Sequence, residues 1–281
     1  MFTSPGAEII QIGPITLRWY GLLIASGALL GLTLATREAV RRGLDPDALT
    51  TATLVAMLTG FIGARTYYVA FNWELYAGRP WDIPAIWKGG LAIHGGMLAG
   101  LLGAWLYMRA RRLPLLPYLD VAAPSVVLAQ AIGRWGNFFN SEAYGRPTDL
   151  PWKLYIPPER RVPGFERFEF FHPTFLYESL WDVAVFLVLV FVLRRRLERY
   201  PGALFLCYLG LYSVGRFFVE GLRLDSLMAG GLRTAQLMSL LLIVAAAAGL
   251  VWRLRTAPAD TYAGPGPQAR RGARAPRNEH Q

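Results

Sequence analysis

The sequence predicts an all-α, polytopic membrane helical bundle of about seven transmembrane helices. Three observations carry this. Of the 281 residues 54% are hydrophobic and only 17% are charged, against about a quarter charged in a soluble domain. The apolar residues fall in long blocks, close to the roughly 20 a helix needs to cross the hydrocarbon core and unlike the short alternating segments of an outer-membrane barrel. The arginines gather in every second connection, as a cytoplasmic face requires.

In chain order the spans are expected at 19–36, 49–70, 93–108, 121–138, 175–193, 203–220 and 234–252. Glycine and proline interrupt the third and fourth. Arg37, Arg41 and Arg42 follow the first span, Arg109, Arg111 and Arg112 the third, and Arg194, Arg195, Arg196 and Arg199 the fifth. Arg253, Arg255, Arg270, Arg271, Arg274 and Arg277 follow the last. If the spans alternate in direction, all of these lie on one side, and the positive-inside rule makes it cytoplasmic. The N-terminus is then outside and the C-terminus inside, which an odd number of spans satisfies. The net charge of +10 comes almost wholly from arginine, with Lys88 and Lys153 the only lysines. Topology accounts for this charge before nucleic acid does, and no nucleic-acid partner is expected.

The segment Met1 to Pro14 lacks a basic region and a small-residue cleavage site ahead of the first apolar block, so no cleavable signal peptide is expected. The connection 140–172 lies outside on this topology. Its mixed charge, prolines and aromatics (Trp152, Tyr155, Phe165, Phe168, Phe170 and Phe171) suit either a small extracytoplasmic cap at the lipid interface or an irregular solvated loop. The expected division is a transmembrane domain over 1–256, with the cap within 140–172, and a basic disordered cytoplasmic tail over 257–281, rich in Pro, Gly, Ala and Arg.

Ionisable residues inside spans are expensive and usually functional. On this topology independent spans bring theirs to one depth, in the outer half of the bilayer. Tyr20 opens the first span and His94 the third, Arg134 and Asn137 close the fourth, His172 and Glu178 open the fifth, and Arg216 and Glu220 close the sixth. Arg134 and Asn137 share a helix face, as do Tyr212, Arg216 and Glu220, so Arg216 and Glu220 can pair within one helix. Two arginines at that depth point to an anionic ligand, because a guanidinium stays charged when desolvated and offers phosphate a fork of hydrogen bonds. The plainer readings are an interfacial anchor for Arg134 and a charge merely neutralised by its partner for Arg216. His94 is the acid–base candidate by residue type, or else a histidine bonded into helix packing. Arg65 reads as a structural contact and His172 as a helix-start residue. Cys207 is the single cysteine and lies in an apolar span, where a thiol is inert. Any thiol chemistry therefore uses a substrate's thiol.

The stretch Gly133-Arg134-Trp135-Gly136-Asn137-Phe138-Phe139-Asn140-Ser141-Glu142-Ala143-Tyr144-Gly145 resembles the defining motif of the bacterial phosphatidylglycerol:prolipoprotein diacylglyceryl transferase family. Four more segments agree in order: Arg18-Trp19-Tyr20-Gly21-Leu22, His94-Gly95-Gly96-Met97, His172-Pro173-Thr174-Phe175-Leu176-Tyr177-Glu178, and Gly215-Arg216-Phe217-Phe218-Val219-Glu220 with Arg223. The resemblance covers roughly 12–250 and leaves out the basic tail.

It implies an enzyme of the bacterial cytoplasmic (inner) membrane that moves the diacylglyceryl group of phosphatidylglycerol to the lipobox cysteine of prolipoprotein signal peptides and releases glycerol phosphate. Carried over by residue, His94, Arg134 and Arg216 are catalytic, the arginines on the phosphate and His94 assisting thiol deprotonation. Tyr20, Asn137, Glu142, Gly145, Tyr212 and Glu220 shape the pocket or orient the arginines. No metal and no organic cofactor is implied. A lipid or anion transporter would also carry intramembrane arginines, but here they cluster towards one face rather than the midplane, and there is no paired half-repeat.

Overall fold

The computed structural model describes residues 1–13, 15–86, 89–229 and 231–256; the basic tail expected over 257–281 lies outside the described residues. Every span expected from the sequence is a helix: α1 Trp19–Arg41, α2 Pro46–Phe71, α3 Ile93–Ala110, α4 Leu115–Asn140, α5 Thr174–Leu187, α7 Ala203–Glu220 and α8 Thr234–Thr256. After α5 the chain runs through a π-helical turn, Val188–Leu193, into the short α6, Arg194–Leu197. Six of these helices are long and apolar enough to cross a membrane, α5 being counted through to Leu197. The other, α3, has 18 residues and is not among these six. The protein is a polytopic helical membrane protein. Its outward helix faces carry Leu29, Phe61, Leu101, Phe191 and Leu241, all exposed, as lipid contact requires and water would not favour.

Contacts divide the chain into two compact units, Met1–Ala35 with everything from Leu119 onward, and Thr36–Tyr118. In the second unit, α2 starts at Asp45, whose carboxylate accepts from the amides of Asp47 (2.9 Å) and Ala48 (3.2 Å), with Pro46 in the first turn. It packs on α3 through a seam of small residues. A Cβ added to Gly63 would lie 2.6 Å from the Gly95 carbonyl, and one on Gly100 would lie 2.9 Å from the Ala56 carbonyl, so the two backbones touch as in close membrane helix pairs. Arg65 is buried and faces the connection between these helices. It donates to the carbonyls of Asp82 (2.6 Å), Ile83 (2.6 Å), Gly89 (2.7 Å) and Gly90 (2.9 Å), and its guanidinium lies 5.1 Å from the Tyr76 ring centre. Its role is to order this loop.

In the first unit, α1 lies against α4 where Gly27 faces Ala129 and Gly31 faces the Ser125 carbonyl. A core of Ala123, Val127, Val185, Leu189, Leu204 and Tyr208 joins α4, α5 and α7. The start of α7 is fixed by α4: the fully buried Asp120 carboxylate accepts from the amides of Gly202 (2.7 Å) and Phe205 (2.9 Å). These are orphan N–H groups of a helix start. Asp120→Ala is expected to destabilise the protein by about 2–3 kcal/mol, read as a lowered midpoint of thermal unfolding in detergent.

The segment 140–172 is compact rather than irregular. Strand β4 (Leu154–Tyr155) pairs parallel with β1 (Phe2–Thr3) and antiparallel with β5 (Phe170–Phe171). Phe138, Tyr144, Leu154, Ile156, Phe171 and Phe175 form a buried hydrophobic cluster that includes residues of this small sheet. Two hairpins complete the unit: β2 (Glu8–Ile12) with β3 (Ile15–Arg18), leading into α1, and β6 (Met228–Ala229) with β7 (Leu232–Arg233), leading into α8.

Candidate active site

The last turns of α4 and α7 meet the first turn of α5 within the first unit. Arg134 on α4 places Nε 2.9 Å from Oε2 of Glu178 on α5. Its Nη2 donates to the Tyr212 hydroxyl on α7 at 3.2 Å. Arg216, one turn beyond Tyr212, places Nη1 2.6 Å from the other Glu178 oxygen and Nη2 2.6 Å from Glu220 Oε2. One carboxylate is therefore shared by guanidinium groups from two helices. The carboxylate side chains are only 7% and 3% exposed, while those of Arg134 and Arg216 are 21% and 20% exposed. Negative charge forms the buried floor and positive charge the accessible surface. Among the described residues no hydrogen bond engages Nη1 of Arg134 or Nε of Arg216.

Beyond the end of α7, Arg223 pairs with Asp225 through two bonds of 2.9 and 2.7 Å. Burial opposes the charge on each partner, but their mutual attraction outweighs it, so Asp225 is held below the usual carboxylate range and Arg223 above its ordinary value. Arg233 on β7 donates to the Glu220 carbonyl, to the Arg223 carbonyl (2.8 Å) and to Ser226 Oγ (2.9 Å). A cation at a helix C-terminus is favoured by the helix dipole.

Asn137 and Glu142 form a separate pair. The amides of Asn137 and Asn140 both donate to Glu142 Oε1, at 2.9 and 3.3 Å. Glu142 sits between Ser141 (φ 53°) and Ala143 (φ 57°), two non-glycine residues in the left-handed region. Such backbone is costly and gathers at functional sites. Among the described residues, Asn137 and Glu142 bond to each other, and no hydrogen bond joins them to Arg134 or Arg216. Tyr20 stands against Gly136, where an added Cβ would come within 2.4 Å of its ring. Trp19 stacks on Phe139 with ring centres 4.6 Å apart.

Gly145 ties 140–172 to the end of α7. Its amide donates to the His172 carbonyl at 2.9 Å and it bridges to Arg223. A Cβ there would meet His172 Cβ at 2.8 Å and the Leu222 carbonyl at 3.2 Å. Neither is the free end of a flexible side chain, so the backbone must move. Gly145→Ala is expected to cost about 1–3 kcal/mol of stability and to lower turnover more than tenfold, because Arg223 moves with it; turnover and thermal unfolding measured together check this. His172 itself precedes α5, with Nδ1 3.1 Å from the Tyr177 hydroxyl, and burial lowers its pKa.

Of the residues singled out in the sequence, Arg134, Tyr212, Arg216 and Glu220 are joined in one cluster. His94 belongs to the other unit, exposed in the first turn of α3, with its ring centre 6.5 Å from that of Tyr67. From sequence, Glu178 stands at this depth without an assigned role, and Asp182 and Asp225 are not among the expected site residues. The spacing of Glu178 and Asp182, four apart in an apolar helix, is a sequence signal for those two. Among the described residues no group of three or more His, Cys, Asp or Glu is placed to hold a metal ion.

The family described as prolipoprotein diacylglyceryl transferase matches residues 7–252. The chain is similar to curated proteins named phosphatidylglycerol–prolipoprotein diacylglyceryl transferase. That of Trichormus variabilis is 53% identical over 256 residues, covering 90% of this chain and 91% of the relative. That of Synechococcus elongatus is 52% identical over 255 residues (89% and 88%), and that of Gloeobacter violaceus 53% identical over 252 residues (89% and 94%). With the family matched over nearly its whole described length, this chain belongs to the prolipoprotein diacylglyceryl transferases.

Proposed function

We propose that this protein transfers the diacylglyceryl group of phosphatidylglycerol to the thiol of the lipobox cysteine of prolipoproteins, forming a thioether and releasing glycerol phosphate. This is the first step of bacterial lipoprotein maturation. Family membership and the names of the relatives support the reaction. The observation that carries the site is Glu178 shared between Arg134 and Arg216, with guanidinium donors left over and accessible. These donors receive the lipid phosphate, and Glu178, Glu220 and Tyr212 fix their direction before the lipid arrives. Such preorganised charge stabilises an anion that develops in the transition state without reorganising to do so.

The substrate sulfur attacks the glyceryl carbon bonded to phosphate. That carbon–oxygen bond breaks, its electron pair leaves with glycerol phosphate, and the thiol proton passes to a base. His94 is assigned that proton on the resemblance of its segment His94-Gly95-Gly96-Met97 to the family. Asn137, Glu142, Gly145 and Tyr20 shape the surrounding pocket. The protein works in the cytoplasmic (inner) membrane, crossing it with α3 as the remaining span, with the N-terminus and 140–172 outside and the end of α8 inside. The alternation of arginine-rich connections supports this orientation.

Purified protein mixed with phosphatidylglycerol and a lipobox peptide is expected to yield, by mass spectrometry, a diacylglyceryl adduct on the peptide cysteine. Well-folded protein that forms no adduct across several anionic lipids would overturn the reading.

A further inference from the structure

The arginine-rich end of α3 holds a cavity of about 390 Å³ lined by Trp105, Met108, Arg109, Arg112, Leu113 and Leu115. All six belong to the unit Thr36–Tyr118. Arg109 stands in the last turn of α3 and His94 in the first, about 22 Å away along the axis at 1.5 Å per residue. The cavity therefore lies apart from the chemistry assigned to His94.

Two facts distinguish it from a plain positive end. The first is that its arginines have no acidic partner. In the same unit Arg41 and Arg42 are neutralised by Glu38. Among the described residues no ion pair or hydrogen bond engages the guanidinium of Arg109 or Arg112, and Arg109 lies over the Trp105 ring, 5.8 Å from its centre. The second is the backbone of Arg112. The Leu113 amide donates to the Met108 carbonyl (2.9 Å) and the Arg112 amide to the Arg109 carbonyl (3.1 Å). This closing turn puts Arg112 in the left-handed region, φ 52°, where glycine is the usual residue because it has no Cβ to crowd. Topology calls for positive charge near this end. It does not call for an arginine at the one position that favours glycine.

The apolar surroundings say what such arginines would hold. Leu98, Leu102, Trp105 and Arg109 share one face of α3, and the first three are exposed. An exposed apolar stripe thus runs into the cavity. Free phosphate would use the arginines and ignore the stripe. A phospholipid uses both, with its phosphate on the guanidinium groups and an acyl chain along the leucines.

We propose that this cavity binds one anionic phospholipid of the leaflet at the arginine-rich end of α3, with Arg109 and Arg112 on its phosphate. The bound lipid is not consumed; it holds the last turn of α3 at headgroup depth. The site does not depend on whether Arg134 and Arg216 take the donor phosphate.

Photocrosslinking of the full chain in detergent with a phosphatidic acid that carries a diazirine in its acyl chain, followed by peptide mass spectrometry, locates the lipid. Wild type is expected to be labelled within 98–115, and unlabelled phosphatidic acid, but neither phosphatidylcholine nor inorganic phosphate, is expected to compete. Arg112→Gly is expected to cut this label about fivefold, and Arg109→Gln combined with it by about the same factor again. Because glycine suits the turn, Arg112→Gly is expected to unfold in lipid-free detergent at the same temperature as wild type or higher, and to keep its turnover on phosphatidylglycerol. Undiminished label in folded Arg112→Gly overturns the proposal, since Arg112 is then only a strained cap. Competition by phosphatidylcholine reduces the cavity to general lipid contact, and competition by inorganic phosphate reduces it to an anion site; either overturns it. A fall in turnover parallel to the loss of label overturns the structural role by making the lipid part of the reaction.

Discussion

Glu178→Gln is expected to reduce transfer by at least about 100-fold, the loss typical when preorganised charge stabilisation is removed. Glutamine keeps the length of the side chain but not its charge. Arg134 and Arg216 then face one another across a neutral amide that offers one oxygen where the carboxylate offers two. Breaking one side of a buried ion pair costs about 3–5 kcal/mol. Here two partners are stranded, though both arginines keep some solvent, and Arg216 keeps Glu220 at 2.6 Å. The loss is therefore expected to fall more heavily on Arg134, whose remaining side-chain partner is the Tyr212 hydroxyl at 3.2 Å. Turnover alongside thermal unfolding separates the two consequences. A folded Glu178→Gln protein with near-normal turnover would mean that Glu178 only neutralises charge.

Arg134→Lys is expected to be nearly as damaging, at about 100-fold or more in turnover, although it preserves charge. An ammonium is a compact point charge, and it cannot reproduce a planar fork that meets Glu178 through Nε, Tyr212 through Nη2 and a phosphate through Nη1. A lysine that reaches Glu178 abandons Tyr212. The substitution tests geometry against charge: retained activity would reduce Arg134 to a positive potential and undo the bidentate role assigned to it.

Much of this was legible in the sequence because hydropathy and helical spacing act locally. The span expected at 203–220 coincides with α7, and Tyr212, Arg216 and Glu220 share the face that their spacing assigns. Helices outrun the spans where polar residues cap or extend them. Asp45 begins α2 before the apolar block, and Glu38, paired with Arg41 and Arg42, continues α1 beyond it. What the sequence could not show was pairing between helices. Nothing in the local pattern of α5 says that Glu178 meets arginines from α4 and α7, because that depends on where distant segments pack. The sheet joining Phe2, Leu154 and Phe171 is equally non-local: its strands are two residues long, too short for alternation to register. The bond between Asn137 and Glu142 likewise depends on the turn through Ser141 and Ala143, which no local hydropathy pattern marks.

The role of Arg134 and Arg216 as the phosphate site is tested by an experimental structure of the protein with phosphatidylglycerol bound. The lipid phosphate is expected within hydrogen-bonding distance of both Arg134 and Arg216, with Glu178 still bridging them from beneath. A phosphate held elsewhere, with the Arg134–Glu178–Arg216 bridge closed and empty, would contradict it.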